Sequence, residues 1–304
     1  MIRRSIEESA LLPCFRGVLS LLLVGALVFG KAVAAPLPVG NSEFSFADPR
    51  SNPGKPLTVW CYKPVSATRD SRVVFVMTGV KRNADEYRDN WARHADKHGF
   101  VLVVPQFPFS DYSNDDYTFG GVTQGDPTKW GFRTVDNLFD EIKRRDGLAA
   151  NSYAIYGHSA GAQFVHRMML FMGDSARFDT AIAANAGWYS MPVYDSTGPF
   201  KFPLALDARV VPEVVMRRQF AKPMFIMLGD QDTDTRHKHL NRSAPAMAQG
   251  PHRFARGQYF FRAAREQAVA MGASFNWRLV VVPGVAHSDR GMSDAAVKVL
   301  FPSP

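Results

Sequence analysis

Cysteine is nearly absent from this chain. Two occur in 304 residues, Cys14 and Cys61, and the first falls in a segment that reads as a removable leader. Arg3, Arg4 and Arg16 precede an apolar stretch from Gly17 to Phe29, and Ala32-Val33-Ala34 supplies an A-x-A cleavage pattern. Cleavage after Ala34 divides the chain into a signal peptide, residues 1–34, and a mature domain, residues 35–304. The expected location is therefore periplasmic or secreted. Cys61 alone remains in the mature domain, which excludes an internal disulfide. Cys14 precedes the apolar stretch, so it cannot serve as a lipoprotein cysteine after it. No apolar run reaches the roughly 20 residues that span a bilayer. No stable membrane insertion is expected once the leader is cut.

Other absences narrow the partners. The formal charge is +8, yet basic residues are scattered in short runs such as Lys143-Arg144-Arg145. No basic stripe interleaved with aromatics exists, so nucleic acid is not an expected partner. A solvated basic surface that adheres weakly to anionic envelopes is the plainer reading. Internal repeats and low-complexity segments are missing. So are metal-binding patterns. His94 and His98 lack the intervening glutamate of a zinc-protease helix and read as a solvated face. Residues 111–116 lack the glycine and glutamate of a calcium loop. Asp232, Asp234, His237 and His239 match no known ligand spacing. The reading calls for neither metal nor organic cofactor.

What is present is an alternation. Apolar runs at 56–62, 72–77, 100–104, 152–156, 180–184, 223–228 and 277–282 read as strands. Helical patterns at 83–98, 134–145, 162–170, 253–271 and 293–300 separate most of them. Continuous apolar runs, rather than alternating ones, indicate parallel strands buried on both faces. The expected fold is a single α/β domain with a mostly parallel sheet covered by helices. Residues 35–55 read as an irregular lead-in. Residues 106–130 read as a long loop whose Tyr112, Tyr117, Phe119 and Trp130 either border a site or pack the loop onto the body. Residues 190–220 carry Pro192, Pro199, Pro203 and Pro212. Proline breaks helices, so this stretch predicts one short helix and no large lid over the cleft.

The densest chemical signal is Gly157-His158-Ser159-Ala160-Gly161, a G-x-S-x-G pattern between a strand and a helix. The serine sits on a sharp turn with its hydroxyl exposed at the strand's carboxyl end. The helix that follows presents its positive end to developing negative charge. A serine hydroxyl needs a base, and the base needs an orienting acid. The acid is expected just after a later strand, where Gly229-Asp230-Gln231-Asp232-Thr233-Asp234 stands. Asp232 is preferred, Asp234 is second, and Asp230 follows the turn glycine and reads as a loop holder. The base is expected after the last strand, where Pro283-Gly284-Val285-Ala286-His287 supplies His287. Two backbone N–H groups should hold an oxyanion, one from Ala160 and one from Val80 in the loop after residues 72–77.

From Thr78-Gly79-Val80 through the serine turn to His287, the chain resembles the α/β-hydrolase superfamily. The resemblance spans essentially the whole mature domain. It is most similar to exported esterases related to poly(3-hydroxyalkanoate) depolymerases, feruloyl esterases and polyester hydrolases. Many of those carry His-Gly where this chain has Thr78-Gly79, a change that leaves the backbone donor in place. The resemblance implies a single α/β-hydrolase catalytic domain and hydrolysis through an acyl-enzyme without a cofactor. It also implies that Trp188 lines the acyl pocket. The expected activity is an exported serine esterase with Ser159, Asp232 and His287 as its triad, acting on small-molecule or polymeric esters. A serine peptidase or amidase of the same fold, and a non-catalytic binding protein on a hydrolase scaffold, are the alternatives.

Overall fold

The computed structural model describes residues 35–194 and 197–302. The signal peptide read at residues 1–34 lies outside the described residues. Eight strands alternate with eight α-helices in the order β1 Gly40–Asp48, β2 Asn52–Lys63, β3 Val73–Met77, α1 Ala84–His98, β4 Val101–Gln106, α2 Asn114–Phe119, α3 Gly131–Asp146, β5 Tyr153–His158, α4 Ala160–Met172, β6 Phe178–Ala184, α5 Glu213–Ala221, β7 Met224–Gly229, α6 Ala244–Gln249, α7 Arg253–Ala270, β8 Trp277–Val282 and α8 Asp289–Leu300. They build one sheet of order β1-β2-β4-β3-β5-β6-β7-β8. The first two pairings, β1 with β2 and β2 with β4, are antiparallel; all others are parallel.

All five residues of β3 are buried. Side chains alternate across a strand, so neighbours in sequence enter opposite cores. Val73, Phe75 and Met77 face a core shared with α3, α4 and α7. Val74 and Val76 face a second core with Trp91 of α1 and Met292 of α8. Burial on both faces is why these strands read as unbroken apolar runs.

Three expectations are corrected. Residues 35–55 are not an irregular lead-in, because 40–48 form the edge strand β1. Its burial alternates, Phe46 and Asp48 inward and their neighbours outward, as befits a strand with one open face. The 106–130 loop contains α2. Ser113 accepts from the Asp116 N–H at 3.0 Å, and the Asp116 carboxylate accepts from the Ser113 N–H at 3.2 Å, a reciprocal cap that satisfies two N-terminal donors. Tyr112, Tyr117, Phe119 and Trp130 are all buried, so these aromatics pack the segment onto the body. His94 and His98 are half-buried rather than fully solvated: His94 stands edge-on to Trp91, and His98 stacks on Phe301.

Among the described residues between β6 and β7 there is one helix, the nine-residue α5, and no large lid. Also among the described residues, no helix is long and apolar enough to cross a membrane.

Candidate active site

Ser159 stands between β5 and α4 with φ 58° and ψ −112°. A non-glycine residue there costs on the order of 1–3 kcal/mol. The surroundings hold it. Its N–H continues the sheet ladder to Ala184 O at 3.0 Å, and its C=O accepts from the Gln163 N–H in α4. The flanking glycines are steric necessities: a Cβ on Gly157 would run into the Gly161 carbonyl, and one on Gly161 into the Met77 carbonyl. The serine thus stands at the N-terminus of α4 with its hydroxyl not used for capping, and the helix's positive end favours negative charge beside it.

The structure brings Ser159, His287 and Asp232 into one hydrogen-bonded line. The Ser159 hydroxyl lies 3.0 Å from Nε2 of His287, and Nδ1 of His287 lies 2.7 Å from Oδ2 of Asp232. With Nδ1 protonated toward the carboxylate, Nε2 is free to accept the serine proton. Asp234 does not join the line; it is exposed and its carboxylate accepts from the Arg236 N–H. Asp230 holds the histidine loop, accepting from the Gly284 N–H at 2.8 Å.

Two residues that the sequence did not point to complete this frame. Asn185, fully buried at φ 51°, donates to Ala286 O beside His287 and accepts from the Gly229 N–H. It therefore ties the ends of β6 and β7 to the histidine loop. Arg253, at the start of α7, is 1% exposed and reaches Oδ1 of Asp232 at 3.3 Å. Its other terminal nitrogen donates to Nδ1 of His237 at 3.0 Å. Burial, and then the Arg253 guanidinium, hold the His237 imidazole below its ordinary value. Burial lowers the Arg253 guanidinium as well, with Asp232 opposing.

A cleft of about 380 Å³ opens on Ser159 and His287, lined also by Gly79, Val80, Tyr87, His158, His237, Lys238, His239 and Asp289. Val80 therefore shares the cleft with the serine. The Gly79 Cβ position is 3.7 Å from the Ser159 Cβ, which brings the loop after β3 against the serine turn. Ala160 opens α4, and its N–H is among the donors that a helix leaves without an intrahelical partner. Trp188 is not among the lining residues of this cleft. It stands edge-on to Phe119 at 6.1 Å, with the buried Arg167 guanidinium 5.5 Å from its ring.

An eight-stranded sheet in this order, with a strained serine on the turn after β5, defines an α/β-hydrolase, and the chain belongs to that superfamily. It is an enzyme of the hydrolase class. No protein-family model and no curated protein matches it, but solved structures do. It is similar to poly(aspartic acid) hydrolase-1 from Sphingomonas sp. KT-1, with 37% identity over 87% of this chain and 100% of that one and a TM-score of 0.80. It is similar also to LpqC, a poly(3-hydroxybutyrate) depolymerase from Bordetella parapertussis, with 34% identity over 87% of this chain and 90% of that one and a TM-score of 0.80. An S-formylglutathione hydrolase from Agrobacterium tumefaciens shares the fold at 16% identity, 88% and 96% coverage and a TM-score of 0.57.

Proposed function

We propose that this protein is an exported serine esterase that works through an acyl-enzyme. The carrying observation is the line from Ser159 Oγ through His287 to Asp232, with spacings of 3.0 and 2.7 Å. Ser159 Oγ attacks the ester carbonyl while His287 Nε2 takes its proton. Asp232 holds the ring and balances the imidazolium. The tetrahedral oxyanion lies against the N–H groups of Val80 and Ala160. His287 then delivers the proton to the leaving alcohol, and a water activated by the same nitrogen releases the acid. Residues 1–34 act as the export signal, and residues 35–304 are the catalytic domain. Trp188 packs on Phe119 and does not line the cleft around Ser159, so Trp188→Ala is expected to leave turnover of the smallest ester unchanged.

A second reading is favoured by one relative and by two lysines in the cleft. Lys81 and Lys238 line the cleft beside the carboxyls of Glu86 and Asp289, and one relative is a poly(aspartic acid) hydrolase. On this reading the substrate is an anionic polymer and the bond cut is an amide. One panel separates the two: p-nitrophenyl and feruloyl esters, poly(3-hydroxybutyrate) and poly(aspartic acid), each with wild type and Ser159→Ala. Ester turnover lost in Ser159→Ala supports the first reading. Shortening of poly(aspartic acid) chains that exceeds ester turnover supports the second. Full activity in Ser159→Ala overturns both.

A further inference from the structure

The peptide unit between Thr78 and Gly79 is gripped at both ends by tyrosine hydroxyls. Its C=O accepts from Tyr117 Oη of α2 at 2.9 Å, and its N–H donates to Tyr87 Oη of α1 at 3.0 Å. All three groups are buried. The gripped unit directly precedes the Gly79–Val80 peptide, which carries the Val80 N–H. A peptide is planar, so fixing both its oxygen and its nitrogen fixes that plane and the Gly79 Cα from which the next peptide, carrying the Val80 N–H, continues. Gly79 is required for this grip, because a Cβ there would come within 2.8 Å of Tyr87 Oη.

The second bond of Tyr87 gives the grip its direction. A phenol has one proton. The oxygen of Tyr87 accepts from Gly79, so its own proton goes to Nδ1 of His158 at 3.0 Å. His158 can only accept there as a neutral ring. Burial, first of all, holds His158 well below the ordinary imidazole value, with the Arg253 guanidinium acting in the same direction. His158 immediately precedes Ser159 and Ala160 on the serine turn. Tyr87 is therefore a strut with one end on the loop that carries the Val80 donor and the other on the turn that carries Ser159 and the Ala160 donor.

Tyr117 is anchored in turn. The Arg82 guanidinium lies 3.8 Å above its ring and donates to Phe107 O at 2.8 Å. Arg82 belongs to the same loop as Val80, so the 79–82 loop is clasped to the 107–117 segment as well as to α1.

We infer that Tyr87 and Tyr117 are positioning residues that set the spacing and aim of the two oxyanion donors, a role that rests on the acyl-enzyme reading above. Neither supplies a donor to the oxyanion itself. They do not touch Asp232 or His287, so their loss should weaken binding of the tetrahedral state without altering the protonation behaviour of the base.

The test compares Tyr87→Phe and Tyr117→Phe with Tyr112→Phe, a buried tyrosine of the same region whose hydroxyl meets only Lys55 O at 3.4 Å. Three readouts are taken with a p-nitrophenyl ester: kcat and KM, the inhibition constant of a boronic acid that forms a tetrahedral adduct, and the acid limb of the pH–rate profile. Tyr87→Phe and Tyr117→Phe are each expected to lower kcat by at least about tenfold, short of the roughly 10²–10³ that losing a donor outright costs. KM stays within twofold to threefold, roughly. Boronate binding weakens in proportion to kcat, and the acid limb does not move. The double variant loses less than the product of the single losses, because both hydroxyls act on one peptide. Tyr112→Phe retains kcat.

Unchanged kcat and boronate binding in a folded Tyr87→Phe would overturn the role. So would a shift of the acid limb, which would mean that Tyr87 acts on His287 through His158. Equal losses in Tyr112→Phe would reduce both tyrosines to packing. If Tyr87→Phe does not fold, Tyr117→Phe carries the same comparison. Failure of the acyl-enzyme reading would be visible separately, as wild type that a fluorophosphonate does not label.

Discussion

The Arg253 guanidinium and the Asp232 carboxylate form a buried pair at 3.3 Å, both side chains almost wholly enclosed, on the oxygen of Asp232 that His287 does not use. A buried carboxylate left with one partner fewer is costly, and breaking such pairs typically costs about 3–5 kcal/mol. Arg253→Met is therefore expected to lower the unfolding free energy by about 3 kcal/mol or more. Urea denaturation of the two proteins measures it. A loss below about 1 kcal/mol, the range of exposed pairs, would show that Arg253 contributes little to the frame.

The two candidate acids give opposite expectations. Asp232→Asn removes the acceptor that holds the His287 ring, and turnover should fall by on the order of 10⁴, as in other serine triads. Asp234→Asn alters an exposed side chain that bonds to the Arg236 N–H, and turnover should change by less than about twofold, consistent with a neutral surface substitution. Steady-state kinetics on both variants decides. The reverse ranking would move the acid to Asp234.

Asp289 predicts a pH dependence of stability. Burial pushes its carboxyl up to about 7, against opposing hydrogen bonds from Asn90 and Tyr156. The unfolded chain holds an aspartate proton only below about 3.9. Between these values the folded state binds the proton more tightly, so stability from this group is full below about pH 4, falls as pH rises, and levels off above about pH 7. Thermal unfolding of wild type and Asp289→Asn across pH 4 to 8 tests this. The asparagine variant should lack the part of the decline that wild type shows toward pH 7. Parallel curves would contradict the assignment.

The cleft stands without a lid domain among the described residues, so no interfacial activation is expected. Tributyrin hydrolysis should rise smoothly through the solubility limit. A sharp jump on emulsion formation would mean that the 190–220 segment moves as a lid.

Legibility in the sequence followed burial. Strands β3 to β7 are mostly enclosed on both faces and stood out as apolar runs, and the edge strand β8 stood out through its run of valines. β1 did not, because only Phe46 and Asp48 of its nine residues are buried and its flanks are rich in proline, glycine and asparagine. α2 was missed although its signal was present: Ser113 followed three residues later by Asp116 is a capping pattern. α6, six residues with proline in its first turn, is too short for periodicity. Within the candidate site, the elbow, Asp232 and His287 were readable because each follows a strand end. Asn185 and Arg253 were not. Asn185 meets Ala286 across 101 positions and Arg253 meets Asp232 across 21, and no local pattern encodes such pairings. The tyrosine grip on the Thr78–Gly79 peptide was invisible for the same reason.

The central claim is that Ser159 is the nucleophile, and covalent labelling tests it most directly. Wild type treated with a fluorophosphonate should gain one adduct by intact mass, mapped to the peptide containing Gly157-His158-Ser159-Ala160-Gly161, with ester hydrolysis lost in step. Ser159→Ala should remain folded, take up no label and retain only the roughly 10³–10⁴-fold acceleration over water that an oxyanion hole and binding provide. An adduct on another residue, or near-normal hydrolysis by Ser159→Ala, would contradict the account.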